Sequence, residues 1–227
     1  MTTSVTAAGR PAPGATAVEW LTQWVKDHKR AAAYIAAVLA IAAALFVWNL
    51  LSTRTAERSA GRQLEQGRLA LASRNYQLAA SVLSQVTENY AGTHAAQEGT
   101  ILLAQVRLAQ GQSQRAVDVL RTFAPQASRD YRAQAYGLLG GAYENTSRPR
   151  DAADAYQRAA DAAPYPFLRA QFLSDAGRAW LAAGDTAKAI AAYQTIAQQL
   201  DSTSAAVEAK VRIGELTKGA TAGATPR

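Results

Sequence analysis

At 227 residues the chain has room for one ordinary domain beside a membrane anchor, or for a short repeat array, and a hydrophobic fraction of 49% that is largely alanine points to an all-α protein. The formal charge of +7 comes from arginines scattered among acids, with no compact basic patch interleaved with aromatics, which argues against a nucleic-acid interface. Cysteine is absent, excluding disulfides and thiolate metal sites, and neither His28 nor His94 has a second histidine or a carboxylate at ligand spacing, so no metal or other cofactor is expected.

Residues 1–16, rich in glycine, proline and small polar residues, hold too little apolar surface to fold and are expected to form a disordered tail. Across residues 17–30, AVEWLTQWVKDHKR, apolar residues recur at three- and four-residue spacing with basic residues between them. This predicts an amphipathic interfacial helix with Trp20 and Trp24 on its membrane face; an interaction helix for a partner protein is the alternative.

The charge-free segment 31–52 is read as a transmembrane helix. Its 21 residues from Ala31 to Leu51 reach about 32 Å as a helix, against a hydrocarbon core of about 30 Å. Nine Leu, Ile, Val and Phe residues favour insertion by about 3–5 kcal/mol. Tyr34 and Trp48 lie near its two ends, where amphipathic rings favour the lipid interface. A buried helix of a soluble bundle would rarely go so long without charge, and the apolar run is too long for a cleavable signal peptide, so an uncleaved anchor is expected. Orientation stays open: Lys26, Lys29 and Arg30 on one side balance Arg54, Arg58 and Arg62 on the other.

Self-similarity dominates residues 53–217. The stretches SRNYQLAASVL, GQSQRAVDVL, SRPRDAADAY and GDTAKAIAAY each pair a turn with a helix carrying an anchor alanine: Ala79, Ala116, Ala152 and Ala189, at intervals of 37, 36 and 37 residues. Small residues in the middle of the preceding helices, Gly67, Ala104, Gly140 and Gly177, repeat at the same intervals. The pattern resembles the tetratricopeptide repeat, with units at about 60–93, 97–130, 133–166 and 170–203. The third unit, with Ala152, Tyr156, Ala159 and Pro164, fits best, while the first two place Leu83 and Leu120 at the aromatic position. A helix at 205–217, with Gly214 in step, is expected to cap the array, followed by a disordered tail at 218–227. A generic helical bundle would place leucine-sized residues where alanine and glycine recur here.

No nucleophile–base set, phosphate loop or metal constellation can be assembled, so no enzymatic activity is expected. The tetratricopeptide resemblance implies a binding surface on the concave face formed by the first helix of each unit. In register, that face takes Leu64, Arg68 and Leu71 from unit one and Glu98, Ile101, Gln105 and Leu108 from unit two. Units three and four add Gln134, Glu144, Asn145, Gln171, Ser174, Arg178 and Leu181. Leucines beside isolated charges suit extended polypeptide or a partner domain, and the clustered lysines and asparagines of carboxylate clamps are missing.

The order of parts, a short VEWLTQWVKDHKR lead, one span ending FVWNLL, the helix TRTAERSAGRQLEQG and then divergent repeats, resembles the YfgM-like ancillary subunits of the bacterial SecYEG translocon. That resemblance implies a single-pass inner-membrane protein with a cytoplasmic N-terminus and periplasmic repeats. It also implies protein partners: the SecYEG translocon, a chaperone of the PpiD type and exported polypeptides. Two alternatives are an envelope-organising adaptor for cell division or outer-membrane assembly and a cytoplasm-facing assembly factor.

Overall fold

The computed structural model describes residues 17–222; the expected tail at 1–16 and the end of the C-terminal one, 223–227, lie outside them. Ten helices follow one another with no strand among the described residues. They are α1 (Ala17–Asp27), α2 (Lys29–Ala72), α3 (Tyr76–Asn89), α4 (His94–Ala109) and α5 (Ser113–Phe123). They continue with α6 (Arg129–Asn145), α7 (Pro149–Ala162), α8 (Pro166–Ala182), α9 (Thr186–Gln199) and α10 (Ala205–Ala222). The terminal helix thus runs beyond residue 217 through residues expected in the tail.

The chain forms two compact units, residues 1–54 and 55–227. In the first, a turn at His28 separates α1 from α2, and the His28 ring stacks on Trp24 at 5.3 Å. From Val38 to Phe46 the apolar side chains of α2 are uncovered, Val38 at 65% and Phe46 at 69% exposure. Among the described residues α2 is the one helix long and apolar enough to cross a membrane. Ser52 and Thr53 return their hydroxyls to the Asn49 carbonyl, at 3.0 and 2.9 Å, so these polar groups are satisfied within the helix itself.

The second unit is a tetratricopeptide-like array: α2/α3, α4/α5, α6/α7 and α8/α9 pair in turn, and α10 closes it. One turn geometry serves all four pairs. The residue seven positions after each central small residue, Arg74, Gly111, Ser147 or Gly184, has φ between 57° and 78°. The next amide, of Asn75, Gln112, Arg148 or Asp185, then donates back across the turn to Ala70, Arg107, Tyr143 or Trp180 at 2.8–2.9 Å. These paired bonds form a Schellman stop, which satisfies the last carbonyls of the first helix. In the first and fourth pairs the following side chain also starts the second helix: Asn75 accepts from the Leu78 amide, and Asp185 from the Lys188 amide.

Packing repeats with the turns. Sixteen residues after each central small residue stands a large one: Leu83, Leu120, Tyr156 or Tyr193. All four are buried, the two leucines completely. A Cβ added to Gly67, Gly140 or Gly177 would lie only 2.6, 2.6 or 2.7 Å from Leu83, Tyr156 or Tyr193. Each socket therefore requires a small residue, and filling it stabilises the pair by about 1.5–3 kcal/mol per buried side chain. Two cores result, one from α2, α3 and α4 around Leu83 and Val106, the other from α4 through α10 around Leu120, Leu173 and Ile196. α4 serves both, contributing Leu103 and Val106 to the first and Ile101 and Ala104 to the second.

Candidate functional site: the first-helix face of the array

Two of the expected surface residues belong to the interior. Leu64, 5% exposed, and Ile101, 2% exposed, lie in the two cores. Both occupy the same register position, three residues before the central small residue, where one first helix packs on the next: the Leu64 side chain lies beside Gly99. Leu71, Leu108 and Leu181 are half-buried against the cores and present only an edge. The face is consequently more polar than expected.

Its polar residues gather into two clusters. In the first, Arg68 donates to Glu65 at 3.3 Å and to Glu98 across from α2 to α4. The hydrogen bond it donates to Glu98 is the main reason the Arg68 guanidinium is held protonated even more firmly than usual. Nearby on α6, burial raises the Tyr131 phenol above its ordinary range, with the Glu98 charge adding to the effect. The His94 ring meets Tyr131 edge-on at 5.8 Å. Beneath it, the Glu57 carboxylate accepts from the His94 and Ala95 amides, both at 2.9 Å, and so caps the N-terminus of α4.

In the second cluster, Arg178 on α8 donates to Glu144 on α6 at 2.6 Å and to Asp175 at 3.0 Å. The other Glu144 oxygen accepts from the Tyr156 hydroxyl at 2.8 Å. Bonding to Asp175, then to Glu144, raises the Arg178 pKa further. Burial, then the bond to Glu144, raises that of Tyr156 well above the usual phenol range. Glu65/Arg68 and Asp175/Arg178 occupy the same two register positions in their units.

Between and around the clusters, Gln134, Asn145 and Gln171 are exposed, and Gln105 and Ser174 are half-buried. Amide side chains offer both donors and acceptors, the complement of an extended backbone. The arginine pairs are largely exposed and contribute only about 0–1 kcal/mol each to stability, so a partner carboxylate or guanidinium can replace one at little cost. Among the described residues no group of three or more His, Asp or Glu could hold a metal ion. In the first unit, Trp20 is 49% exposed and Tyr34 and Trp48 are both 74% exposed, while Trp24 is half-covered by its stack with His28.

Three surface features escaped the sequence. Glu57 and Tyr131 join the first cluster from ten and nine residues before their central small residues, where Asp130 alone repeats the acid. Tyr165 and Phe167, 57% and 61% exposed, stack at 5.7 Å where α7 passes into α8. Finally, two adjoining clefts of about 340 and 350 Å³ open between α3 and α5 over α4, sharing Thr87, Thr100 and Val119. Thr100 is buried there and its hydroxyl is satisfied by the Ala96 carbonyl at 2.8 Å. The small side chains that open the cleft leave no periodic signal distinct from core alanines.

No protein-family model and no curated protein matches the chain. Solved structures do. A Podospora anserina kinesin light chain protein of nearly identical TPR-like repeats is similar at 18% identity and a TM-score of 0.55, over 72% of this chain and 87% of that one. MamA from Desulfovibrio magneticus RS-1 is similar at 22% identity and a TM-score of 0.51, over 63% of this chain and 76% of that one. The likeness is one of fold: an array of TPR-like helical repeats.

Proposed function

We propose that this chain is a non-enzymatic, membrane-anchored tetratricopeptide scaffold that binds polypeptide or chaperone partners at the bacterial protein-export translocon. The observation that carries the reading is the uncovered apolar run of α2, Val38 to Phe46, in the same chain as a repeat array with a mixed polar face. An apolar helix of that length with no protein covering it is suited to lipid, and the Tyr34 and Trp48 rings near its ends suit the interfaces. On this reading the chain is a single-pass protein of the inner membrane, its N-terminus cytoplasmic and its repeats periplasmic. SecYEG and a PpiD-type chaperone are its partners and exported polypeptides its clients, in keeping with the resemblance in the order of its parts. Arg68, Glu98, Gln105, Gln134, Glu144, Asn145, Gln171, Ser174 and Arg178 form the binding face, with edges of Leu71, Leu108 and Leu181.

Two measurements test it. A phosphatase reporter fused after Arg227 is expected to be active only in the periplasm, and activity of a cytoplasmic reporter at that point would remove the export reading. Purification of the full chain in mild detergent is expected to bring down translocon subunits; their absence from the purified material would refute the partnership.

A further inference from the structure

We propose that α10 is a docking surface for one amphipathic helix of a partner protein, seated in place of the second helix that a fifth repeat unit would have. The proposal concerns the end of the array and does not depend on the export reading.

The register carries the argument. Gly214 lies 37 residues after Gly177, in step with Gly67, Ala104 and Gly140. At Gly67, Gly140 and Gly177 the space above the glycine is filled by a leucine or tyrosine from the second helix, whereas above Gly214 nothing lies within 4 Å. The same helix exposes Val207 at 69% and Val211 at 55%. Of their equivalents in earlier units, Ala60, Ala133 and Ala170 are buried at the first position and Gln97 is half-buried; at the second, where the next first helix packs, Leu64 and Ile101 are buried and Gly137 and Ser174 half-buried. At 100° per residue, Val207, Val211 and Gly214 fall within an arc of about 60°, a stripe that one helix covers. The opposite side of α10 is already used, with Ala206 and Ala209 buried in the larger core.

The interface repeated through the array also states what the occupant looks like. Each second helix brings alanine and, four residues later, the socket residue: Ala79 and Leu83, Ala116 and Leu120, Ala152 and Tyr156, Ala189 and Tyr193. A helix with that pair, small residue then leucine or tyrosine, continues the interface onto α10. Charge adds a second requirement. Lys210 stands exposed between the two valines in sequence, and among the described residues no carboxylate pairs with it, while Arg212 is held by Glu208 and Glu215. The partner helix therefore carries an acid toward Lys210. A second copy of this chain is a poor source, because all four of its alanine–leucine or alanine–tyrosine pairs are already buried in its own sockets.

The test uses the full chain in detergent and a fluorescent peptide with the sequence of residues 185–200, which carries the Ala189 and Tyr193 pair and serves as the probe. Fluorescence anisotropy is expected to show saturable binding. Gly214→Leu, which fills the socket, is expected to weaken it at least threefold, as are Val211→Asp in the protein and Tyr193→Ala in the peptide. The helical circular dichroism of both protein variants should match that of the parent, since both positions face open space. No binding at millimolar peptide, or a change smaller than threefold for all three substitutions, overturns the proposal. So does concentration-dependent self-association of the parent chain, measured by sedimentation, that Val211→Asp abolishes, because the surface would then belong to a second copy.

Discussion

The first and third repeat pairs solve one packing problem with different side chains, and the difference reaches the surface. In the first, Gly67 faces Leu83, whose flexible branches end inside the core. In the third, Gly140 faces the rigid ring of Tyr156, and the hydroxyl continues outward to Glu144 and through it to Arg178. The interior and the polar face of the third pair are thus one connected structure. In the first pair the Glu65–Arg68–Glu98 cluster rests on the surface without a bond to the socket residue.

The largest expected effect comes from crowding the sockets. Gly140→Ala places a methyl 2.6 Å from the Tyr156 ring; overpacking of this kind costs about 1–3 kcal/mol, against about 1 kcal/mol gained in helix propensity. A clear loss of thermal stability by circular dichroism is expected. Gly67→Ala should cost less, because the clashing atom is the end of Leu83, and Gly214→Ala should stabilise α10, where nothing opposes the new methyl. Equal losses at Gly67 and Gly140 would erase the contrast between flexible and rigid socket residues.

Next comes the hydroxyl that joins core to surface. Tyr156→Phe removes one hydrogen bond to a carboxylate, worth about 1.5–3 kcal/mol. It also changes the alkaline limb. Because burial raises the folded-state phenol above the 10.0 of an ordinary tyrosine, its contribution is complete below that pH and is lost as pH climbs through the raised folded value. The parent should therefore lose stability above about pH 10 more steeply than the phenylalanine variant, read as the thermal midpoint against pH.

Turn substitutions should act with the opposite sign. Arg74 and Ser147 hold φ of 57° and 58°, where the other two pairs use glycine. Left-handed backbone costs a side-chain-bearing residue about 1–2 kcal/mol, partly offset by the extra freedom glycine gives the unfolded chain. Ser147→Gly should raise stability by about 0.5–1 kcal/mol. The smallest effects belong to the exposed ion pairs. Arg68→Ala should move stability by no more than about 0.5 kcal/mol, and Arg178→Ala slightly more, because it also strips a partner from the Glu144 that Tyr156 holds. Double-mutant cycles pairing Arg178 and Arg68 with Tyr156 would separate the linked cluster from the free one.

Much of this was legible in the sequence because repetition turns weak signals into strong ones. A single alanine says little; Ala79, Ala116, Ala152 and Ala189 at near-constant intervals, all fully buried, define a helix pair. The apolar run of α2 and the glycine sockets followed from composition and spacing alone. The misread positions have one physical cause. Leu64 and Ile101 lie on the arc between the polar face and the seam to the next first helix, where a shift of a few tens of degrees separates outside from core. The Arg68 and Arg178 clusters join residues 30 and 34 positions apart. Only their local halves, the acid three residues before each arginine, were visible in the chain.

The division of the interior at α4 has a kinetic consequence. Helices of the array touch near neighbours: α4 reaches α2, α3, α5 and α6, and α10 reaches α8 and α9. Such short-range wiring lets opening events stay local, so amide hydrogens should exchange in graded fashion rather than all at once. The larger core spans three helix pairs and should hold its protons longest. α10, with a single packed side, sets the fast end of that gradient, and a helix laid over its bare stripe would slow exchange there first.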